Sequence, residues 1–498
     1  MNSSEMPSRG LISPLPRGLE SDLVVAVGND TVLQRSTAEL LGTYVRLRAL
    51  GTNSLVVAVL SPFIALTSGW MQRFLLALVI LDIPFQFGTH LYYREDEAAL
   101  GAQPGLSISI TTIALAGLYA SWVFRALASR HGEARPSVEI NLPLTLYVAI
   151  ATLSLIVAQD VSLSFFEVFL HWQMYLVFIY VASSVRTRQD VLFVVSLLLI
   201  GCIAESLVII VLQFTGMPST IWGLPTHIRV DPGVGEGFTR IGGTVGSPNQ
   251  AAGYLSLLLA PAASLLFTTL GRAQKWLATA VLGLGGVALI FTFSRGGWAA
   301  FALSLILLCF LAWRRSRFSL KVPIAAIMIL AMLYLPFQSS ISERLLGDDK
   351  GSAQSRIPLM MLAFRIVKDN PVLGVGSNNF QLVMDRYLTS EFRQGFRYAV
   401  HNKYLLVLAE TGIGGLLAYL AFLVGTLRKG WQCWRFSDRL LAPFALGFTA
   451  ALAGHMAQMG VDVFRGRPIT QLVWLIAGLL TAMHRISAQS SDSLSNMT

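Results

Sequence analysis

The sequence predicts an all-α, polytopic transmembrane helical bundle of about 12–13 spans, with a partly helical cap on its outer face. Three observations predict it. Of 498 residues, 54% are apolar and only 13% charged, which excludes an ordinary soluble protein. The apolar residues fall in long blocks such as 191–214, 255–270 and 277–293, each able to cross a hydrocarbon core of roughly 30 Å. These blocks lack the alternation of barrel strands, and inside lipid a single segment satisfies its own backbone only as a helix.

Taken in order, residues 1–50 hold Pro14, Pro16 and scattered charges of both signs, with no apolar core behind a basic start. They read as a poorly ordered polar tail rather than a signal peptide. The first part of the bundle, 51–337, holds candidate spans near 53–69, 73–88, 106–127, 142–158, 163–183, 191–214, 249–270, 276–293, 297–313 and 321–337. The last spans, 403–426, 441–460 and 468–484, occupy 403–486, and a polar tail covers 487–498. The first two candidates share a tight connection at Gly69–Arg73, so either both cross and the N-terminus lies outside, or one fails and it lies inside. Everything from residue 106 keeps its assignment in both cases.

Basic clusters occupy alternate connections: Arg125/Arg130/Arg135, Arg186/Arg188, Arg272/Lys275, Arg314/Arg315/Arg317/Lys321 and Arg428/Lys429/Arg435/Arg439. The positive-inside rule makes that side cytoplasmic and turns 89–105, 159–162, 215–248, 294–296, 338–402 and 461–467 outward. The net charge of +10 is distributed in these clusters, so it reads as membrane anchoring and not as a nucleic-acid surface. Cys202, Cys309 and Cys433 have no metal-ligand or CxxC spacing.

The 338–402 connection is too long for a turn, and such loops carry function or structure of their own. Arg356–Asp369 puts Ile357, Met360, Met361, Phe364 and Val367 on one helical face, with Arg365 and Lys368 off it, which predicts an amphipathic interfacial helix. Asn370-Pro371 should end it, and Gly374-Val375-Gly376 should turn the chain into a second short helix near 380–388.

Three outward positions put a polar group at the mouth of an apolar helix, where burial is costly without a partner. Arg240 sits in Arg240-Ile241-Gly242-Gly243-Thr244-Val245-Gly246-Ser247-Pro248-Asn249; the glycines would open backbone N–H groups to an anion, and Pro248-Asn249 starts a helix whose N-terminus favours negative charge. A loop arginine among headgroups is the plainer reading. Arg295, in Ser294-Arg295-Gly296-Gly297-Trp298, lies in a very short connection; a snorkelling arginine competes, but the paired glycines suggest a close approach to the backbone. His401 begins His401-Asn402-Lys403-Tyr404-Leu405 and could cap a helix or accept a proton near neutral pH. Glu167, His171, Glu205, Glu410, His455 and Asp462 read mainly as groups pairing within the bundle.

These residues resemble a family. His-Asn-x-Tyr-Leu followed by Ala409-Glu410-Thr411-Gly412-Ile413-Gly414-Gly415, the preceding Asn370-Pro371-Val372-Leu373-Gly374-Val375-Gly376-Ser377-Asn378-Asn379-Phe380, and the Ser-Arg-Gly-Gly-Trp and Gly-Ser-Pro-Asn-Gln elements are similar to the O-antigen ligase and polysaccharide polymerase superfamily of bacterial inner-membrane glycosyltransferases. The likeness runs from about Arg240 to Gly415. It implies a glycan donor on undecaprenyl diphosphate and an acceptor hydroxyl on lipid A core, another lipid-linked repeat or a protein, with transfer on the periplasmic face. It implies His401 as base, Arg240 and Arg295 as outward arginines of the catalytic site, and Arg356, Asn249, Asn402 and Tyr404 as substrate-binding candidates. No cofactor and no metal follow from it; membrane lipids are partners, and a flippase and a chain-length regulator are candidates.

The chemistry is coherent on its own: guanidinium groups can stabilise a departing diphosphate while an imidazole deprotonates the acceptor, giving inversion at the anomeric carbon. Repeat-unit polymerisation is the favoured reading, because no residue points to a lipid A core acceptor. Two other classes compete. A metal-dependent transferase could use Glu95-Asp96-Glu97, although three adjacent carboxylates more often form a solvated face. A small-anion transporter would want paired broken helices, and the sequence offers no clear pair.

Overall fold

A computed structural model describes residues 68–128, 138–216, 220–221, 224–231, 238–266, 268, 271–314, 335–339, 341–342, 356–388, 398–436 and 438–495. The expected N-terminal tail, candidate span 53–69, nearly all of candidate span 321–337 and the loop stretches 343–355 and 389–397 lie outside the described residues. The chain is an all-α polytopic membrane protein with only small strand pairs.

In chain order the elements are α1 (Gly69–Phe85), β1 (Gly88–Leu91), α2 (Glu95–Ala99), β2 (Leu106–Ser109), α3 (Ile110–Ala128), α4 (Leu142–Leu153), α5 (Val161–Ser184) and α6 (Arg188–Thr215). Next come β3 (Thr220–Ile221), β4 (Leu224–Pro225), β5 (His227–Asp231), β6 (Phe238–Gly243), α7 (Pro248–Leu265), α8 (Arg272–Phe291) and α9 (Arg295–Arg314). The chain continues with α10 (Arg356–Asp369), α11 (Phe380–Val383), α12 (Lys403–Arg435), α13 (Leu441–Met459) and α14 (Arg467–Ser495). Helices α3, α5, α6, α8, α9, α12 and α14 are long and apolar enough to cross a membrane.

The described residues fall into two compact units, 68–76 with 117–128 and 77–116 with 138–495. In the smaller, Gln72 Nε2 donates to Ser121 Oγ at 2.5 Å, and Trp70 stacks on Phe74. In the larger, α7 is buried along nearly its whole length and packs on α8, α9 and α13, while α14 packs on α5 and α12. Small residues make these approaches possible: a Cβ on Gly297 of α9 would meet Ala252 Cβ of α7 at 2.4 Å, and one on Gly454 of α13 would meet the Ala300 carbonyl oxygen at 2.3 Å. The opposite sides of several spans expose Ile156, Val211, Ile306 and Leu417, as helices facing lipid do.

The connections carry short antiparallel pairs that apolar patterning did not predict. β1 pairs with β2, and β5 with β6, where Arg229 faces Arg240 across the ladder. Each pairing gives backbone groups outside the helices their hydrogen-bond partners.

Helix α10 forms where expected, but its buried face is Leu359, Leu362, Ala363 and Ile366; Ile357, Met361 and Phe364 are exposed, and Met360 and Val367 are only partly buried. The helix is apolar on two sides: the expected stripe lies mainly outward, and Leu359, Leu362, Ala363 and Ile366 form a second side packed on α12. Asp369 ends it, and α11 with the 3₁₀ turn Met384–Tyr387 supplies the second short helix.

Helix α12 is broken at Gly412, which has φ 69° and ψ −173°. The 371–376 turn docks into the break. Ile413 N–H donates to Pro371 O, Val375 N–H to Ala409 O and Gly376 N–H to Glu410 O, at 2.9–3.0 Å. A Cβ on Gly412 would lie 2.0 Å from Val372 O. The two motifs most similar to the superfamily are thus each other's packing partners, and the groups freed by the break are satisfied as a membrane requires. Beyond the turn, Asn378 Nδ2 donates to Gln103 O and Leu163 O, and Asn379 Oδ1 accepts from Asp160 N–H.

Candidate functional site

His401 sits in the bend just before α12, half-buried. It does not cap the helix: the N-cap is Asn402, whose Oδ1 accepts Leu405 N–H at 3.0 Å and whose Nδ2 donates to Gly460 O at 2.9 Å. Tyr404 OH donates to Met456 O at 2.7 Å. Asn402 and Tyr404 therefore hold the start of α12 against the end of α13. His401 Nδ1 lies 3.1 Å from Ala399 O. A carbonyl can only accept, so Nδ1 carries the hydrogen and Nε2 is the nitrogen able to take a proton.

Arg240, on β6, is buried; its Nε donates to Thr292 O at 3.1 Å and its Nη2 to Asn249 Oδ1 at 2.8 Å. Asn249, in the first turn of α7, acts on the Asp462 carboxyl and helps to hold its pKa down. Asp462 interacts electrostatically with His401 and Arg356, and its carbonyl accepts Lys403 N–H at 3.1 Å. Arg229, unnoticed in the sequence, adds its field at His401. Burial lowers the His401 pKa most, Arg356 and Arg229 push the same way, and Asp462 and the Ala399 carbonyl oppose them. Burial raises the Asp462 pKa against the pull of His401 and Arg356.

Thus Arg240 contacts Asn249, and Asn249, His401 and Arg356 all act electrostatically on Asp462. Arg295, the first residue of α9, follows Thr292 closely and is half-buried. A Cβ on the adjacent Gly296 would lie 3.6 Å from Gln458 and Val461, at the turn that leads to Asp462. Gly297 is matched by Ala252 of α7, so the close approach that the glycine pair suggests is helix packing.

The anion cradle expected of Gly242-Gly243 exists but is filled from within. Thr244 N–H donates to Glu205 Oε1 at 2.9 Å and Val245 N–H at 3.3 Å, Thr244 Oγ1 donates to Oε2, and a Cβ on Gly243 would lie 2.0 Å from Oε1. The segment secures α6 rather than an outside phosphate.

Other buried charges pair as the bundle demands. Arg467 Nη1 donates to Asp82 Oδ2 at 2.5 Å, and Arg465 pairs with Glu167 and Glu410. Glu95, Asp96 and Glu97 form the first turn of α2, with Glu97 3.7 Å from Arg94. Among the described residues no group of three or more His, Cys, Asp or Glu is arranged to hold a metal ion.

Residues 278–420 match the family model described as O-antigen ligase. This segment is similar to that family. The matched segment runs from α8 through the break in α12 and contains Arg295, Arg356, His401 and the docked 371–376 turn. It spans under a third of the chain and leaves Arg240, Asn249 and Asp462 outside, although Asp462 acts electrostatically on its histidine. The match supports the resemblance read from the motifs. No curated protein matches the chain.

Proposed function

We propose that the chain transfers glycan from undecaprenyl diphosphate to an acceptor sugar hydroxyl on the periplasmic face of a bacterial inner membrane, polymerising lipid-linked repeat units. The observation that supports this reading is the Arg240–Asn249 hydrogen bond together with Asp462, which His401, Arg356 and Asn249 all act on electrostatically. The acceptor O–H gives its proton to His401 Nε2, and its oxygen attacks the anomeric carbon. The bond from that carbon to the diphosphate breaks, and the diphosphate leaves with the electron pair. Arg240, Arg295 and Arg356 offset the charge that develops, in a setting drier than bulk water. Asp462 favours the imidazolium that forms. One displacement of this kind inverts the anomeric centre. Asn402 and Tyr404 serve as the frame of the site, and no metal enters the scheme.

The description of the matched family favours a second reading, ligation of finished glycan to lipid A core. Deleting the gene and examining lipopolysaccharide together with secreted polysaccharide separates the two. Single lipid-linked repeats without polymer support polymerisation, whereas long unattached lipid-linked chains support ligation. Unchanged glycans of every length would sink both.

A further inference from the structure

The two residues that make the site polar at its centre, His401 and Asp462, come from turns far apart in sequence, and one buried side chain reaches the supports of both. Arg465 is 5% exposed. Its Nη2 donates to Glu410 Oε1 on α12, its Nε lies 3.4 Å from Glu167 Oε1 on α5, and its Nη1 donates to Gly101 O at 3.2 Å. The 100–101 loop in turn carries the His401 turn. Ala399 N–H donates to Leu100 O at 3.3 Å, a Cβ on Gly101 would lie 2.5 Å from the Tyr398 ring, and that ring is 5.2 Å from the His401 ring. Glu410 also accepts Phe380 N–H at 3.3 Å, which joins α11 to the same clasp. Arg465 itself belongs to the 460–467 turn that bears Asp462, and that turn touches α12 through Asn402 and Lys403.

We infer that Arg465 is a positioning residue that fixes the turn bearing His401 and the turn bearing Asp462 against each other. Its planar fork meets two carboxylates and a carbonyl on three elements at once. An ammonium on a flexible stem cannot reproduce that. The guanidinium is not placed to touch substrate: all three of its polar contacts are to the protein's own groups in the buried interior. Lys403 is also buried and lies within the field of Glu167 and Glu410, so two cations and two carboxylates balance there. The clasp therefore ties α5, α12 and the 100–101 loop to the turn that bears Arg465. Its bearing on glycan transfer rests on the function proposed above, whereas its bearing on the geometry of His401 does not.

The test compares the wild type with Arg465→Lys and with the charge-balanced pair Arg465→Gln/Glu410→Gln, which guards against a misfolded single variant. Each purified protein is labelled with diethyl pyrocarbonate across a pH series, and modification of His401 is read by mass spectrometry. The groups acting on this histidine are Asp462, Arg356, Arg229, Tyr398 and the Ala399 carbonyl. Burial holds its pKa down, so a loosened turn admits water and the labelling midpoint moves up toward the ordinary histidine value of about 6.5. Transfer should fall at least about tenfold through kcat, with the KM for the lipid-linked donor little changed. Folded variants whose labelling midpoint and rate both match the wild type overturn the inference. A shifted midpoint in a protein that transfers no glycan even as wild type upholds the positioning role and overturns the proposed activity instead.

Discussion

His401 faces two different demands that a single substitution separates. Because Asn402 already caps α12, an asparagine at 401 has no cap to restore, and it cannot accept the acceptor's proton. General-base contributions are typically about 10² to 10⁴ in rate, so His401→Asn should lose at least about a hundredfold in transfer by purified protein. Near-normal turnover would remove the base assignment. The pH profile follows from the sign of the shift. The working form is the neutral imidazole, and burial together with Arg356 and Arg229 lowers its pKa. The rate should therefore rise with pH through a midpoint below the ordinary value of about 6.5 and be flat above it. A midpoint above that value would mean that Asp462 outweighs burial in the working enzyme. Arg240→Lys keeps one charge but cannot hold Thr292 O and Asn249 Oδ1 from Nε and Nη2 together. It should cut transfer substantially at normal protein levels, and unchanged activity would exclude Arg240 from the site.

At the scale of elements, the break in α12 decides how the cap meets the bundle. Gly412 has positive φ and no room for a Cβ, since Val372 O would be 2.0 Å away. Gly412→Ala must strain the backbone or expel the 371–376 turn, at a cost of about 1–3 kcal/mol for the strain alone. Thermal unfolding should start earlier in this variant and proteolysis near residue 372 should quicken. Gly425→Ala, on the same helix in open space and at ordinary φ, should do neither. Equal behaviour of the two variants would show that the turn is not held by the break. The sequence made the elements around this break legible, because Asn370-Pro371 and the glycines that follow are strong local signals. It could not show that the glycines of two motifs interlock, since neither motif contains the other's register. The inner apolar side of α10 stayed hidden for a similar reason. A helix that is apolar on both sides has no single stripe for periodicity to find, and only the packing against α12 selects Leu359, Leu362, Ala363 and Ile366.

For the whole molecule, hydropathy was the most legible signal, and the described helices follow the apolar blocks closely from α1 to α14. Of the candidate site, the cations and the histidine were legible but not the residues that organise them. Asp462 and Arg465 lie in Val461-Asp462-Val463-Phe464-Arg465-Gly466-Arg467, which read alone resembles a polar interfacial turn; only the fold brings Asp462 beside His401 and Arg465 between Glu167 and Glu410. The remaining large-scale expectation is orientation, which rests on the alternation of basic clusters. It is tested in a background with the three native cysteines replaced, Cys202 and Cys433 being buried and Cys309 half-buried. Asp385 and Gln432 are both exposed and sit in segments that the charge pattern assigns to opposite sides. In intact inner-membrane vesicles of native orientation, Asp385→Cys should react with a membrane-impermeant thiol reagent, while Gln432→Cys should react only after the membrane is opened. Because His401 shares its connection with Asp385, the reverse pattern would move the candidate site to the cytoplasmic face and overturn the periplasmic reading proposed above.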